Sequence, residues 1–327
     1  MIEFGERDPS KTRRFSLLMV SIMMVAFAYF VFGEGLSGPS FAGYGALVAI
    51  PFCAGALFVN STGQYSPLGC LAAPAILTAV CFALVSLGME GFICVAMVLP
   101  VWIILGLGGG LTAILSHHWM AAQDERGARL RAVGLAALPF ILIYAEAASP
   151  PQWQTREVTR SIIIDADSAT IWPRLVSMGH ISEEDGEWNV TQNLLGVPRP
   201  RSASLVQRDG KPVRLARWGK AISFEERVTA IDPGRSIGWR FAFPDDSLQN
   251  HTDRHISPDG EMLKIATGGY ELEPLPDEHT RVTLTTTYHM QSRMGWYLQL
   301  WGELLLGDVQ NNVLTIVKDR SESDRKP

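Results

Sequence analysis

Glu226, Asp308 and Asn312 are polar side chains that the periodicity of their neighbours places among hydrophobes. Side chains alternate between the two faces of a strand. Over 222–230 one face reads Ile222, Phe224, Glu226, Val228 and Ala230, so a carboxylate falls in an apolar row. Over 236–243 the apolar face is Ile237, Trp239, Phe241 and Phe243, with Ser236, Gly238 and Arg240 turned away. Over 281–289 it is Val282, Leu284, Thr286 and Tyr288. Near the C-terminus a helical period puts Met294, Tyr297, Trp301, Leu304, Leu305 and Ile316 on one stripe. Asp308 and Asn312 fall near its centre, and Glu303 and Gln310 on the opposite side. An unpaired buried carboxylate costs several kcal/mol or shifts its pKa. Something must therefore satisfy these groups: each other, water or a ligand.

Three kinds of chemistry fit that pattern. As a binding site, Glu226, Thr286, Tyr288, Asp308 and Asn312 would orient the polar end of a hydrophobic molecule or lipid. Trp239, Phe241, Tyr297 and Trp301 would pack its body, since pockets are typically apolar walls with a few placed polar groups. As an enzyme of cyclase or dehydratase type, Glu226 or Asp308 would move protons while Tyr288 polarises a carbonyl. As a structural or sensory domain it would dock a partner protein, with the cavity vestigial. Without a ligand, Asp308 and Asn312 would bond a loop or strand backbone, and Glu226 an arginine such as Arg240 or Arg217. His251, Asp253 and His255 would share one strand face, but a metal site needs further convergent ligands, and a solvated hairpin edge is the expectation. No serine or cysteine nucleophile motif and no phosphate loop occurs, and no metal or cofactor is expected.

The elements that must position these residues follow from pattern and turn chemistry. Val158–Asp165 alternates into the β-branched run Ile162-Ile163-Ile164 and predicts a strand. Asp167 and Ser168 can cap a short helix through Val176. Strand patterns follow at about 202–208, 212–218, 221–231, 235–243, 262–272 and 280–290, separated by Asp209-Gly210, Asp232-Pro233-Gly234 and Pro258-Asp259-Gly260. A helix from about Arg293 to Arg320 completes an α+β layer pattern. Leu194–Pro198 is an apolar loop flanked by polar residues, either a lid, a membrane-facing tip or a buried anchor.

Ile162–Leu175, Phe224–Trp239, Gly269–Leu272 with Thr280–Tyr288, and Tyr297–Lys318 together resemble the START-like, or SRPBCC, superfamily, nearest its polyketide cyclase/dehydrase-like branch. The resemblance covers nearly all of residues 156–322 and none of the preceding half. It implies a helix-grip fold, a curved antiparallel sheet around a long C-terminal helix with an apolar cavity between them.

The first half is a different material. Between Phe15 and Leu115 there is no Lys, Arg or His, and the acids are Glu34 and Glu90. A soluble domain is about 25% charged, so this stretch cannot be soluble surface. Five segments approach the ~20 apolar residues a spanning helix needs: Phe15–Gly33, Ala42–Val59, Leu68–Gly88, Gly91–Leu115 and Ala132–Ala148. Arg7, Lys11, Arg13 and Arg14 precede the first, and Arg126, Arg129 and Arg131 follow the fourth. The positive-inside rule then expects a multi-pass protein of a bacterial plasma membrane, with a cytoplasmic N-terminus and a periplasmic C-terminal domain. The short fifth segment ends in Glu146; if it does not cross, that domain is cytoplasmic.

Intramembrane charges usually mark ion and proton routes, and these spans have essentially none. Pro51, Pro74, Pro100, Pro139 and the Gly106–Gly110 run are therefore read as packing devices. All four cysteines lie in the apolar half, so the second half has no disulfide framework. The formal charge of −5 speaks against a nucleic-acid partner. The expected organisation is a tail (1–14), an all-α transmembrane bundle (15–148), a linker (149–155), a helix-grip domain (156–322) and a second tail (323–327).

Overall fold

The structure, a computed structural model, describes residues 9–34, 43–87, 91–119, 125–149, 151–252 and 257–323. These divide into two compact units, one within 1–151 with 292–294, the other within 152–291 with 295–327.

The N-terminal unit is helical: α1 (Pro9–Glu34), a π-wound turn (Gly45–Ala49) running into α2 (Ile50–Thr62), α3 (Pro67–Ser86), α4 (Phe92–Trp119) and α5 (Glu125–Ala147). Among the described residues, three helices, Gly45–Thr62, Phe92–His117 and Arg126–Ala147, are long and apolar enough to cross a membrane by length and composition. A helix apolar on every side is a buried helix, and α2 is one: it touches α1, α3, α4 and α5. Its approach to α4 is set by glycine. A Cβ on Gly55 would strike the carbonyl oxygen of Gly106, and a Cβ on Gly109 that of Phe52. Small residues let apolar helices meet backbone to backbone, which is the work the glycine run does here. Pro51 sits in the first turn of α2, directly after the π-wound turn, a position where proline is best tolerated in a helix.

The carboxylate at the end of the fifth segment also has a structural task. Glu146 Oε1 accepts from the Tyr44 backbone N–H at 2.8 Å and Oε2 from that of Gly45 at 3.1 Å. It thus satisfies donors that a helix start leaves without intrahelical partners.

The second unit is an antiparallel seven-stranded sheet with a long terminal helix, the helix-grip arrangement. Its elements are β1 (Gln154–Ile164), α6 (Ser168–Val176), β2 (Pro200–Arg208), β3 (Lys211–Trp218), β4 (Ile222–Asp232), β5 (Ser236–Ala242), α7 (Ser247–Thr252), β6 (Leu263–Pro274), β7 (Thr280–Met290) and α8 (Gly295–Ser323). The sheet order is β1-β7-β6-β5-β4-β3-β2. Asp167 caps α6 by accepting from the Thr170 N–H at 2.8 Å. The core joins the inner face of the sheet (Ile237, Trp239, Tyr270, Leu272, Val282, Leu284) to Ile171 and Leu175 of α6 and Leu314, Ile316 and Val317 of α8.

The predicted alternation holds along β5 and β7 but breaks on β4. A bulge at Thr229 pairs Val228 with Trp239 and Ala230 with Gly238. A bulge inserts one residue and reverses the faces beyond it, so Ala230, expected inside, lies outside and exposed.

Helix α8 also departs from the single stripe expected of it. Gln310, expected on the far side, is among its most buried residues, at 2% exposure. Gly307, Gln310, Leu314, Val317 and Ser321 form one buried line at helical spacing. Asn312 and Ile316 are buried on an adjoining face, against the segment before β2. This helix is covered from two sides, so no one apolar stripe describes it.

Candidate functional site

The inner face of β3, β4, β5 and β6 holds a buried ion pair among aromatic rings. The β3–β4 register sets Arg214 directly opposite Glu226, and opposed residues share a face. The Arg214 guanidinium donates to the Glu226 carboxylate, and both side chains are only 7% exposed. Arg214 also lies 5.6 Å from the Trp239 ring centroid and 5.8 Å from that of Tyr270, within cation–π range. Burial pushes the Glu226 carboxyl above the usual carboxylate range, against the pull of Arg214. Burial also works to strip Arg214 of its proton, but the field of Glu226 and Tyr270 outweighs it, and the guanidinium stays charged. The expected partners Arg217 and Arg240 are a correction: they pair with Ser223 and Arg227 on the other face. Alternation along KPVRLARW places Arg214 with Ala216 and Trp218, and that was the available signal.

The polar groups of α8 are committed to the segment before β2. Asp308 Oδ2 accepts from the Thr191 N–H at 2.9 Å and its hydroxyl at 2.8 Å. Asn312 Oδ1 accepts from the Glu187 N–H at 2.9 Å, and its amide donates to Gln192 Oε1 at 2.8 Å. Asn189 caps the π-wound turn Val190–Leu194 by accepting from the Gln192 N–H at 2.8 Å. The premise that Asp308 and Asn312 point into open apolar space is thus corrected: a loop occupies that side of the helix. In the apolar run of that loop Leu195 is buried and Leu194 is 63% exposed, so it is an anchor and a tip at once.

A second polar group reaches the sheet from α8. Gln310 Nε2 donates to the Val158 carbonyl at 2.9 Å and to Thr286 Oγ1 at 3.0 Å. One ladder row crosses the sheet through Val158, Thr286, Gly268, Trp239 and Val228. Gly268 has no side chain, and the Trp239 indole covers it; a Cβ there would lie 2.8 Å from Nε1. Tyr288, farther along β7, lies with its hydroxyl against Gly302 of α8. Burial raises its phenol above the ordinary range, Glu303 adds to that, and Arg156 opposes it. Tyr297 and Trp301 are half-buried; burial raises the Tyr297 phenol while its hydrogen bond with Trp301 works against the rise. Phe241 packs edge-on against Trp239, at 6.1 Å between centroids.

Buried polar atoms nearly always have a partner. Here Trp239 Nε1, Gln310 Oε1, Tyr288 Oη and Arg214 Nε are buried without one. The indole is a donor, the amide oxygen an acceptor and the phenol either. Each of these atoms keeps one hydrogen-bonding valence unused where α8 and the inner face of the sheet meet or beside the ion pair. Of the residues singled out from the sequence, Glu226, Trp239, Phe241, Thr286 and Tyr288 share the inner face, and Asp308 and Asn312 stand behind the loop. Arg214 and Gln310 were missed. Glu226 is committed to Arg214 and Asp308 to Thr191, so neither stands ready as a base. The strand expected to carry His251 is a correction, since His251 lies in the short helix α7; Asp253 and His255 lie outside the described residues, and among those described no three His, Cys, Asp or Glu gather to hold a metal.

No family model matches the chain, and no curated protein matches it. Solved structures similar to it include the Zhui aromatase/cyclase from Streptomyces sp. R1128, 14% identical over 53% of this chain and 97% of that one, with a TM-score of 0.33. A START superfamily protein from Mycobacterium smegmatis is 12% identical over 51% and 97%, with a TM-score of 0.33. Truncated norcoclaurine synthase from Thalictrum flavum is 10% identical over 51% and 95%, with a TM-score of 0.31. Likeness at this level carries no argument about ligand or reaction. The fold assignment stands on the sheet order and the terminal helix.

Proposed function

We propose that the C-terminal unit binds a hydrophobic small molecule or lipid, and that the helical unit anchors it in a membrane. The observation that carries the binding half is the group of buried polar atoms without partners on an inner face of aromatic and aliphatic side chains whose one ion pair is internally neutralised. In this reading Trp239, Thr286, Tyr288 and Gln310 orient the ligand's polar group, and Phe241, Tyr297 and Trp301 pack its body. Glu226 and Arg214 neutralise each other beside it, which favours an uncharged ligand. Asp308 and Asn312 act at one remove by fixing the loop around 187–194. The anchoring half is supported by three helices of spanning length and composition and by a fifth helix that ends only a few residues before β1.

The test uses the full chain, extracted from membranes in a mild detergent. Mass spectrometry of the organic extract should find one apolar compound in near-stoichiometric amount. Trp239→Phe keeps an aromatic but smaller ring and removes the N–H, and should lower retention by on the order of tenfold or more, the cost of about one hydrogen bond plus lost packing. A folded protein that comes out empty, under several extraction conditions, sinks the proposal.

A further inference from the structure

Helices α1 and α5 run side by side in the same direction, and an apolar groove of about 550 Å³ lies between them. Met19, Ile22 and Met23 line it from α1, and Ala137, Phe140 and Ile141 from α5. Its walls offer nothing polar but the Tyr144 hydroxyl at one end. The other end is basic. At helical spacing, Lys11 and Phe15 continue the α1 wall, and Arg129 and Arg126 continue the α5 wall below Val133. The Arg129 guanidinium lies over the Phe15 ring at 5.8 Å, which ties the two basic ends together. The first turns of α1 carry Lys11, Arg13 and Arg14 with no acid among the described residues, and those of α5 carry Arg126, Arg129 and Arg131 with Glu125.

We infer that this groove is a binding site for an anionic phospholipid, with an acyl chain between α1 and α5 and the phosphate at Arg126, Arg129 and Lys11. Two independent features converge on that occupant. The apolar channel fits a hydrocarbon chain and offers a headgroup nothing along its length. The cations sit at the positive ends of two helix dipoles, where cations are unfavourable and an anion is favoured. Basic pockets between spanning helices are a recurrent way of holding anionic headgroups. The inference rests on the membrane half of the proposed function and is independent of what the C-terminal unit binds.

The test is native mass spectrometry of the full chain in detergent with equal amounts of phosphatidylglycerol and phosphatidylcholine. Phosphatidylglycerol adducts should dominate, and their excess should fall as salt rises, because exposed charges are screened. Arg126→Gln with Arg129→Gln should lower the preference on the order of tenfold, given roughly a factor of five for each basic residue near an anionic surface. The corresponding pair of lysine substitutions should retain it. Ala137→Phe should fill the groove and remove both adducts. Equal binding of the two lipids, or a preference that survives the glutamine pair, overturns the inference. Should the glutamine pair not fold, the salt series on the unaltered chain decides. Alkaline carbonate extraction separates this failure from failure of the membrane reading: a chain released from membranes overturns both, and a retained chain indifferent to headgroup charge overturns this inference alone.

Discussion

Both units use glycine to bring elements close, but the glycines meet different things. In the helical unit Gly55 and Gly109 face the backbone carbonyls of Gly106 and Phe52. In the C-terminal unit Gly302 and Gly307 of α8 face side-chain tips, the Tyr288 hydroxyl and the Arg160 guanidinium. Backbone against backbone needs nothing further, since the helices satisfy their own hydrogen bonds. A polar tip under a glycine still needs a partner, and the Tyr288 hydroxyl has none. The contrast is not uniform: in the helical unit Gly43 faces the Glu146 carboxylate and Gly63 the Arg13 guanidinium, and in the C-terminal unit Gly269 faces the Ile237 carbonyl. The C-terminal interior differs in carrying charges, amides and hydroxyls that hold loops or pair with one another.

The largest expected effect tests the polar interior. Arg214→Met should cost about 3–5 kcal/mol, because it leaves Glu226 buried without its cation. Arg214→Met with Glu226→Leu should recover most of that loss, since replacing a buried pair with hydrophobes is often neutral. Denaturant unfolding of the full chain in detergent measures both. A double variant as unstable as the single one would mean that the pair contributes more than mutual satisfaction.

The glycine comparison breaks more directly. Gly109→Ala and Gly302→Ala should each cost about 1–3 kcal/mol by overpacking. Tyr288→Phe should rescue Gly302→Ala, because the clash is with a hydroxyl that can be removed. No side-chain change at Phe52 should rescue Gly109→Ala, because the clash there is with a main-chain oxygen. Rescue in both places, or in neither, would erase the distinction.

Next in size is the loop. Asn312→Ala strips the Glu187 N–H of its partner and leaves Gln192 Oε1 accepting from Asn189 Nδ2 alone, at about 1–3 kcal/mol for a buried group left unsatisfied. Hydrogen exchange should accelerate over 187–194 while β7 stays protected. Uniform acceleration would mean that the loop and the sheet open as one unit.

The main elements of both units are legible in the sequence because they follow from a local period: alternation in β5 and β7, unbroken apolar runs in α2 to α4; α7 and the π-wound turn at 190–194 have no such period and are not. The inner placement of Trp239, Thr286 and Tyr288 follows from the same period. What is not legible depends on pairing. Arg214 reaches Glu226 through the β3–β4 register, which neither strand states alone. The bulge at Thr229 carries no signal in its residue types, so Ala230 was placed on the wrong face. Gln310 was misplaced because a period read over a 29-residue helix assumes one buried face, and this helix has two.

The smallest effect lies at the outer end of the same loop and depends on pH. Asp185 accepts from Arg320 of α8 at 2.7 Å and from the Ser182 N–H at 3.0 Å. The bond to Arg320 does most to hold its carboxyl below the ordinary range; the Ser182 bond helps, and burial opposes them. A carboxyl depressed in the folded state binds its proton less readily there than in the unfolded chain. Its contribution to stability is therefore complete above the unfolded value near ~3.9 and disappears as pH falls through the lower, folded value. Arg320→Gln removes the first cause, so the carboxyl should move up and the loss of stability on acidification should become shallower below about pH 4. The carboxyl carbon shift of Asp185 reads the first change, and unfolding of the full chain at a series of acidic pH values reads the second. The Asp185 and Arg320 side chains are each about a third exposed, so salt should shrink both changes. The buried pair at Glu226 should not respond to salt in this way. If the two pairs answer salt alike, the contrast between a loop fastened at the surface and a charge pair sealed inside fails at its most sensitive point.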